Sequence, residues 1–472
     1  MTSSTRQTLA QWGSARRPTL LELGWGLALT AVAILVGVGL GREPVLVAAV
    51  VALAVAIAGI AAVPATALLA ILVVRASLDT SGELVSVGGT NLAGALTAAV
   101  AAGGAAALVF RGTRLPARRL RRALLVLACW ALASLAFTPA LLEGVSSVLR
   151  IVAMLVLFGL GAWTVRDVER LRRIAWVVVL SSIVPVGVGL YQLVSGSTYS
   201  RQGFSAISGT FLYANGFALY LLMVLALGIV LLFESRDVAR RVVLLVILGL
   251  TGVAFVVTYA RAEWIGLIVI LGVLALMHYR RLIPLAVAVL SIGALAVPSS
   301  FGLVEERFAD LDSASARYDD NSWAWRVRNW EGMLHFATDQ PLTGHGLSSF
   351  PPLTYEQFGT TTDGFDIDGR DSGVFAHNDY LMMAVELGLP GLALWLVVLV
   401  GIARAMLRAR ATPSLRPYAT GMFAVAVAYL LISAADNVMT TTSAMFYFFA
   451  MAGAVVGADS QVRREASPAL AG

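Results

Sequence analysis

FLYANGFALYLLMVLALGIVLLF, Phe211–Phe233, contains no charged side chain. A helix of about 20 apolar residues crosses the hydrocarbon core of a bilayer with every backbone group bonded internally. This stretch therefore reads as a membrane span, and the same reading extends over most of the chain. Of 472 residues, 58% are hydrophobic and 13% are charged, against roughly 25% charged in a soluble domain. Spans are expected near 20–41, 44–60, 62–76, 89–110, 123–138, 145–165, 174–195, 208–233, 242–258, 262–278, 282–298, 389–407, 417–435 and 440–458. Pro64 divides the second from the third, so the count is 12 to 14. The expected fold class is an all-α polytopic membrane protein.

Charge orients it. All 34 basic residues are arginine. They crowd alternate loops: Arg111 to Arg122, Arg166 to Arg173, Arg236 to Arg241, Arg280 with Arg281, and Arg404 to Arg416. By the positive-inside rule these loops and both termini are cytoplasmic, in a multi-pass inner (plasma) membrane protein. Met1–Leu20 is polar and carries Arg6, Arg16 and Arg17, the pattern of an uncleaved cytoplasmic N-terminus. The basic loops are short and lack interleaved aromatics, which argues against nucleic acid as a partner. The lone Cys129 lies in an apolar run and reads as packing, and no CxxC or HExxH pattern suggests a metal.

The expected organisation is a cytoplasmic N-terminus (1–19), a helix bundle (20–298), one large extracytoplasmic loop (299–388), C-terminal spans (389–458) and a cytoplasmic tail (459–472). Residues 299–376 hold 13 acidic residues against five arginines. Trp323, Trp325, Trp330 and Phe350 give that loop enough apolar surface to fold onto the membrane core. It also holds His335 and His345, and His377 follows it, so three of the four histidines lie on this side.

Four outward stretches stand out: RQGFSAISGTFLYANG (Arg201–Gly216), TYARAEWIG (Thr258–Gly266), WAWRVRNWEGMLHFATDQPLTGHGLSSF (Trp323–Phe350) and FAHNDYLMMAVELGLPGLALWL (Phe375–Leu396). They bring Arg201, Arg261, Arg326, Arg328 and His377 to one face. Arginine forks pair bidentately with phosphate oxygens and stay charged. A histidine titrating near neutrality accepts a proton from an attacking hydroxyl. Together they suit group transfer from a lipid diphosphate held at the membrane boundary. The bland alternatives are snorkelling for Arg261, pairing with Glu331, Asp319 or Asp320 for Arg326 and Arg328, and a helix-start packing role for His377. His335 and His345 read as structural. The break at Gly388–Gly391 makes His377–Leu387 a separate helical entry, and Glu386, nine residues on, is assigned to holding that turn or the loop.

The stretches GTFLYANGFALYL from Gly209, TYARAEWIG, RVRNWEGMLHFATDQPLTGHGLSSF from Arg326 and HNDYLMMAVELGLPG from His377 resemble the O-antigen ligase family, which includes O-antigen polymerases and oligosaccharide-to-protein transferases. The matching positions are Asn215, Arg261, Arg326 with Trp330, Pro341, Gly344, Gly346, His377, Asn378, Leu381, Glu386, Gly388 and Gly391. Ala260 and Ala262 depart from the residues the family often places around the second-motif arginine. The resemblance implies a GT-C-like, inverting, metal-independent glycosyltransferase without a cofactor. Its donor would be a glycan on a polyprenyl (undecaprenyl) diphosphate, and its acceptor a glycan, lipid or protein hydroxyl. His377, Arg261 and Arg326 would be catalytic, and Arg328, Arg201, Asn378, Asn215 and Tyr380 would contact substrate. Asp366 and Asp368 read as solvated loop. A polysaccharide polymerase with the same donor chemistry, or a lipid-linked oligosaccharide flippase, is the alternative.

Overall fold

The computed structural model describes residues 44–79, 86–87, 90–113, 115–201, 204–284, 287–288, 291, 322–358 and 375–466. The expected first span, most of the span 282–298, both chain ends and the Asp366–Asp368 pair lie outside these residues. So do the side chains of Arg201, Trp323 and Trp325. The chain forms two compact units, one of Met1–Val55 with Val87–Gly89 and one of Ala56–Ser86 with Thr90–Gly472. The second contains every site residue discussed below.

The described residues form helices α1 (Pro44–Ala62), α2 (Pro64–Val74), α3 (Leu92–Phe110), α4 (Arg118–Ala133), α5 (Leu141–Thr164), α6 (Val168–Leu180) and α7 (Ile183–Ser195). A short antiparallel hairpin, β1 (Tyr199–Arg201) and β2 (Phe204–Ala206), follows. Then come α8 (Ala214–Glu234), α9 (Val238–Val257), α10 (Arg261–Met277), α11 (Ser322–Asp339), α12 (Phe350–Phe358), α13 (Asp379–Ala409), α14 (Arg416–Ile432) and α15 (Thr442–Ala466). Seven of the helical stretches are long and apolar enough to cross a membrane. The protein is an all-α polytopic membrane protein.

The helix ends follow from local chemistry. Pro64 opens α2 at the position where its missing N–H costs nothing. Asp167 and Asp237 cap α6 and α9 by accepting the amides of Arg170 (2.7 Å) and Ala239 (2.9 Å). The stretch expected as one span over 174–195 lies within one apolar stretch long enough to cross a membrane, Val168–Ser195, which is broken in its middle between α6 and α7. Ser181 and Ser182 return their hydroxyls to the carbonyls of Val178 and Val179, and Pro185 removes a donor just beyond.

Hydropathy alone does not separate central from peripheral helices, but burial does. The apolar window of α8 is 78% buried and that of α9 only 22% buried, so α8 is a central helix and α9 turns most of its surface outward, where lipid suits it. α15 is 89% buried. Its Gly453 and Gly457 lie against α5, where an added Cβ would meet Phe158 O at 2.1 Å and Ala162 O at 2.4 Å. Small residues four apart let two backbones approach closely, which is how helices associate in lipid without a hydrophobic driving force.

The starts of α8, α10, α13 and α15 and the ends of α9 and α14 lie at one end of the bundle. The arginine-rich turns lie at the other, between α3 and α4, α5 and α6, α8 and α9, and α13 and α14. The polar residues of interest thus share one end of the bundle.

Candidate active site

His377 immediately precedes Asn378, the N-cap of α13. The Asn378 side chain accepts the amides of Tyr380 (3.0 Å) and Leu381 (3.1 Å), so its role here is to fix where the helix begins. The strip before His377 is gripped from α11: Trp330 Nε1 donates to Ala376 O at 2.7 Å and Asn329 Nδ2 to Phe375 O at 3.4 Å. Between these clamps His377 has φ 45°, a left-handed conformation that costs a non-glycine residue energy and survives only where the surroundings enforce it. Three of the four non-glycine positive-φ residues described are Tyr259, Ser348 and His377. Tyr259 lies two residues before Arg261, the first residue of α10, and Ser348 lies in the loop against Glu386.

The imidazole faces a carboxylate that the motifs did not reveal. His377 Nδ1 lies 3.1 Å from Oδ1 of Asp436, in the loop between α14 and α15. An ionised carboxylate only accepts, so Nδ1 carries the hydrogen and Nε2 is the basic nitrogen. The same Oδ1 accepts the amide of Asn437 at 2.7 Å, and Oδ2 accepts Asn215 Nδ2 from the first turn of α8. Arg326 Nη1 donates to the carbonyl of the neighbouring Ala435 at 2.6 Å. Asp436 is 3% exposed. Burial pulls its carboxyl upward, but the His377 hydrogen bond and charge, with the Arg326 charge, outweigh that and hold it below the usual carboxylate range.

The spacing of Arg326 and Trp330 now has a cause. Four residues apart, they share one face of α11, and they reach the two strands of the site, at Ala435 and Ala376. Arg328 lies on a different face and is exposed. Of the two loop arginines, Arg326 is the one at the dyad.

Asp379 locks the two strands together. Its amide donates to Ser433 O at 2.8 Å, and its Oδ2 accepts Ser433 Oγ at 2.8 Å and the Met439 amide at 3.0 Å. Both ends of the Asp436 loop are thereby tied to the helix that starts beside His377. The Tyr380 hydroxyl donates to Leu430 O, within the bundle.

The glycines of the third and fourth motifs meet each other. His345 and Gly346 donate their amides to Val385 O and Glu386 O at 2.9 Å each, and Leu389 donates to Pro341 O at 2.8 Å. A Cβ on Gly344 (φ +66°) would stand 2.4 Å from Glu386 O, and one on Gly388 (φ +68°) 2.8 Å from Leu342 O. Gly388 is the non-helical residue at which α13 kinks. Glu386 accepts the Phe350 amide at 3.2 Å, holding the loop. His335 and His345 engage the carbonyls of Gly332 (2.7 Å) and Phe336 (3.0 Å).

Arg261 is the first residue of α10 and is exposed at the same face. Arg201 ends β1 opposite Phe204. Two arginines and a histidine singled out by sequence thus share a face with Asn215, while Asn378 and Tyr380 bond within the protein. Asp436, Asp379 and Arg150 were missed. Arg150 sits within α5, bonded to Ser147 Oγ and Thr440 O (3.5 Å). Arg150 is one charge in an apolar span, and Asp436 stands in SAADNVMTTTS, where no motif marks it.

Around the His377–Asp436 pair, Arg326 Nε, Asn329 Oδ1 and Asn437 Oδ1 are buried with no hydrogen-bond partner among the described residues. Buried polar atoms are ordinarily satisfied. Donors and acceptors left over on two converging elements fit a polar ligand.

Residues 243–396 match the family model described as O-antigen ligase. The matched segment runs from α9 to the middle of α13 and contains Arg261, Arg326 and His377, whereas Asn215 and Asp436 lie outside it. The fold brings both back to the histidine of that segment. No curated protein matches the chain.

Proposed function

We propose that the protein is an inverting membrane glycosyltransferase that moves a glycan from a polyprenyl diphosphate to an acceptor hydroxyl. The supporting observation is the His377–Asp436 pair, held by Asn215 and Asn437 with Arg326 alongside, at the membrane face that also carries Arg261.

Nε2 of His377 takes the proton of the acceptor hydroxyl as its oxygen attacks the anomeric carbon. The bond from that carbon to the diphosphate oxygen breaks, and the diphosphate leaves with the electron pair. Attack from the face opposite the leaving group inverts the centre. Asp436 stabilises the imidazolium that forms. Arg261 and Arg326 take the charge developing on the diphosphate, the task a divalent metal performs in other transferases. Arg326 has a buried Nε to offer while Nη1 anchors Ala435. The lipid tail remains in the bilayer, which is why the site lies at helix ends.

The test is transfer by purified protein in liposomes, comparing wild type with Arg326→Ala and Arg261→Ala. The proposal expects a raised donor KM in both, partly restored by lysine. Unchanged donor affinity in both variants overturns the diphosphate assignment.

A further inference from the structure

A second cleft lies at the arginine-rich end of the bundle, between the ends of α6, α8, α9 and α14. α8 carries Asn215 in its first turn and Glu234, which lines the cleft, as its last residue. Along a straight helix that is a separation of about 28 Å. The cleft has a volume of about 520 Å³, within the range of about 300–1,000 Å³ usual for small-molecule sites. Three guanidinium groups line it: Arg172 from α6, Arg236 from the turn before α9, and Arg240 from α9. Trp176 and Tyr418 complete its walls.

The acids of the lining, Glu234 and Asp237, are already engaged. Glu234 Oε1 accepts the Tyr279 hydroxyl at 3.1 Å. Asp237 caps α9 through Oδ1 and meets Arg240 Nε through Oδ2 at 3.4 Å. Arg172 donates from Nε to the Tyr418 hydroxyl and from Nη1 to Glu169, each at 3.3 Å. Tyr418 is 1% exposed, so the first of these bonds fixes the guanidinium against the wall. Arg236 has no ion-pair partner among the described residues. Three arginines against two engaged carboxylates leave the lining net positive. Guanidinium forks grip the oxygens of a phosphate.

The setting favours a lipid over a soluble anion. α9 turns most of its surface outward. Val243, about one turn beyond Arg240, is 48% exposed, and Leu180, about one turn beyond Trp176, is 43% exposed. A phosphate in the cleft would therefore have apolar side chains directly beneath it, toward the membrane centre. Trp and Tyr, with apolar bodies and polar tips, suit that boundary. We propose that this cleft holds the phosphodiester headgroup of an anionic phospholipid, with its acyl chains along the outward faces of α6 and α9. Basic pockets between spans bind anionic headgroups in this way. The site does not depend on the transfer reaction assigned above.

The experiment is native mass spectrometry of the purified full-length protein titrated with phosphatidylglycerol or phosphatidylcholine. Wild type should retain one phosphatidylglycerol at least about tenfold more tightly than phosphatidylcholine. Arg236→Gln/Arg240→Gln should weaken phosphatidylglycerol binding about thirtyfold. Arg118→Gln/Arg119→Gln, an exposed pair at another arginine-rich turn, should stay within about threefold of wild type. Equal affinity for the two lipids, or equal losses in the two double variants, overturns the proposal. Inorganic phosphate that displaces phosphatidylglycerol at equal concentration marks a soluble-anion site and overturns the lipid assignment. A phosphatidylglycerol with a photoreactive headgroup should label wild-type peptides carrying Trp176 or Arg236. Labelling confined to other segments overturns the proposal even if the cleft variant fails to fold.

Discussion

Asp436→Asn probes the dyad more sharply than deleting the histidine does. The amide is nearly the size of the carboxylate and keeps an acceptor for the Asn437 amide, and Asn215 can turn its own amide to suit. The charge alone is lost. At 3.1 Å and an effective dielectric of about 20, a full imidazolium–carboxylate pair is worth ~5 kcal/mol. A proton half transferred in the transition state feels about half of that, ~2–3 kcal/mol, or about a hundredfold in kcat. If the new amide instead turns its NH₂ toward Nδ1, the imidazole is left in the wrong tautomer and the loss is greater. The assay is single-turnover release of polyprenyl diphosphate at saturating donor, with thermal unfolding in detergent as the control for folding. The charge acts after the donor is bound, so donor KM should hold. A folded Asp436→Asn protein within about threefold of wild-type kcat would refute the dyad as the source of general base catalysis.

Other expectations follow from the same geometry. Arg326→Ala should impair transfer far more than Arg328→Ala, because Arg326 donates to Ala435 in the loop of Asp436 while Arg328 is exposed on another face of α11; equal losses in the same assay would undo that choice. Trp330→Phe removes the bond to Ala376 O, worth about 1 kcal/mol, and should lower kcat while the bundle melts within a few degrees of wild type. Gly344→Ala places a Cβ 2.4 Å from a backbone oxygen in a left-handed conformation and should lower both folded yield and melting temperature. Excess EDTA should leave transfer intact; inhibition reversed by a divalent ion would move attention to Asp366 and Asp368.

Much of this was legible in the sequence because the bilayer imposes a simple code. Apolar length marks the spans, and the alternation of arginine-rich loops puts Arg261, Arg326 and His377 on one side. The spacing from Arg326 to Trp330 is a helix-face relation, readable before the partners Ala435 and Ala376 are known. Asp436 was not legible, since its meaning comes from a loop 59 residues beyond His377 that Asp379 folds back onto the start of α13. Asn215 matched a motif by type, and only the fold shows it donating to Asp436. The break at Ser181–Ser182 escaped because hydropathy ignores hydroxyls that compete for helix carbonyls.

The most direct test compares wild type with His377→Ala, purified and placed in liposomes with a polyprenyl-diphosphate glycan and an acceptor. The account predicts that wild type releases polyprenyl diphosphate as glycan appears on the acceptor. It predicts that the folded variant loses transfer by about a hundredfold or more. Normal transfer by the variant would contradict it, and so would wild-type protein that carries labelled donor across the bilayer without transferring the glycan.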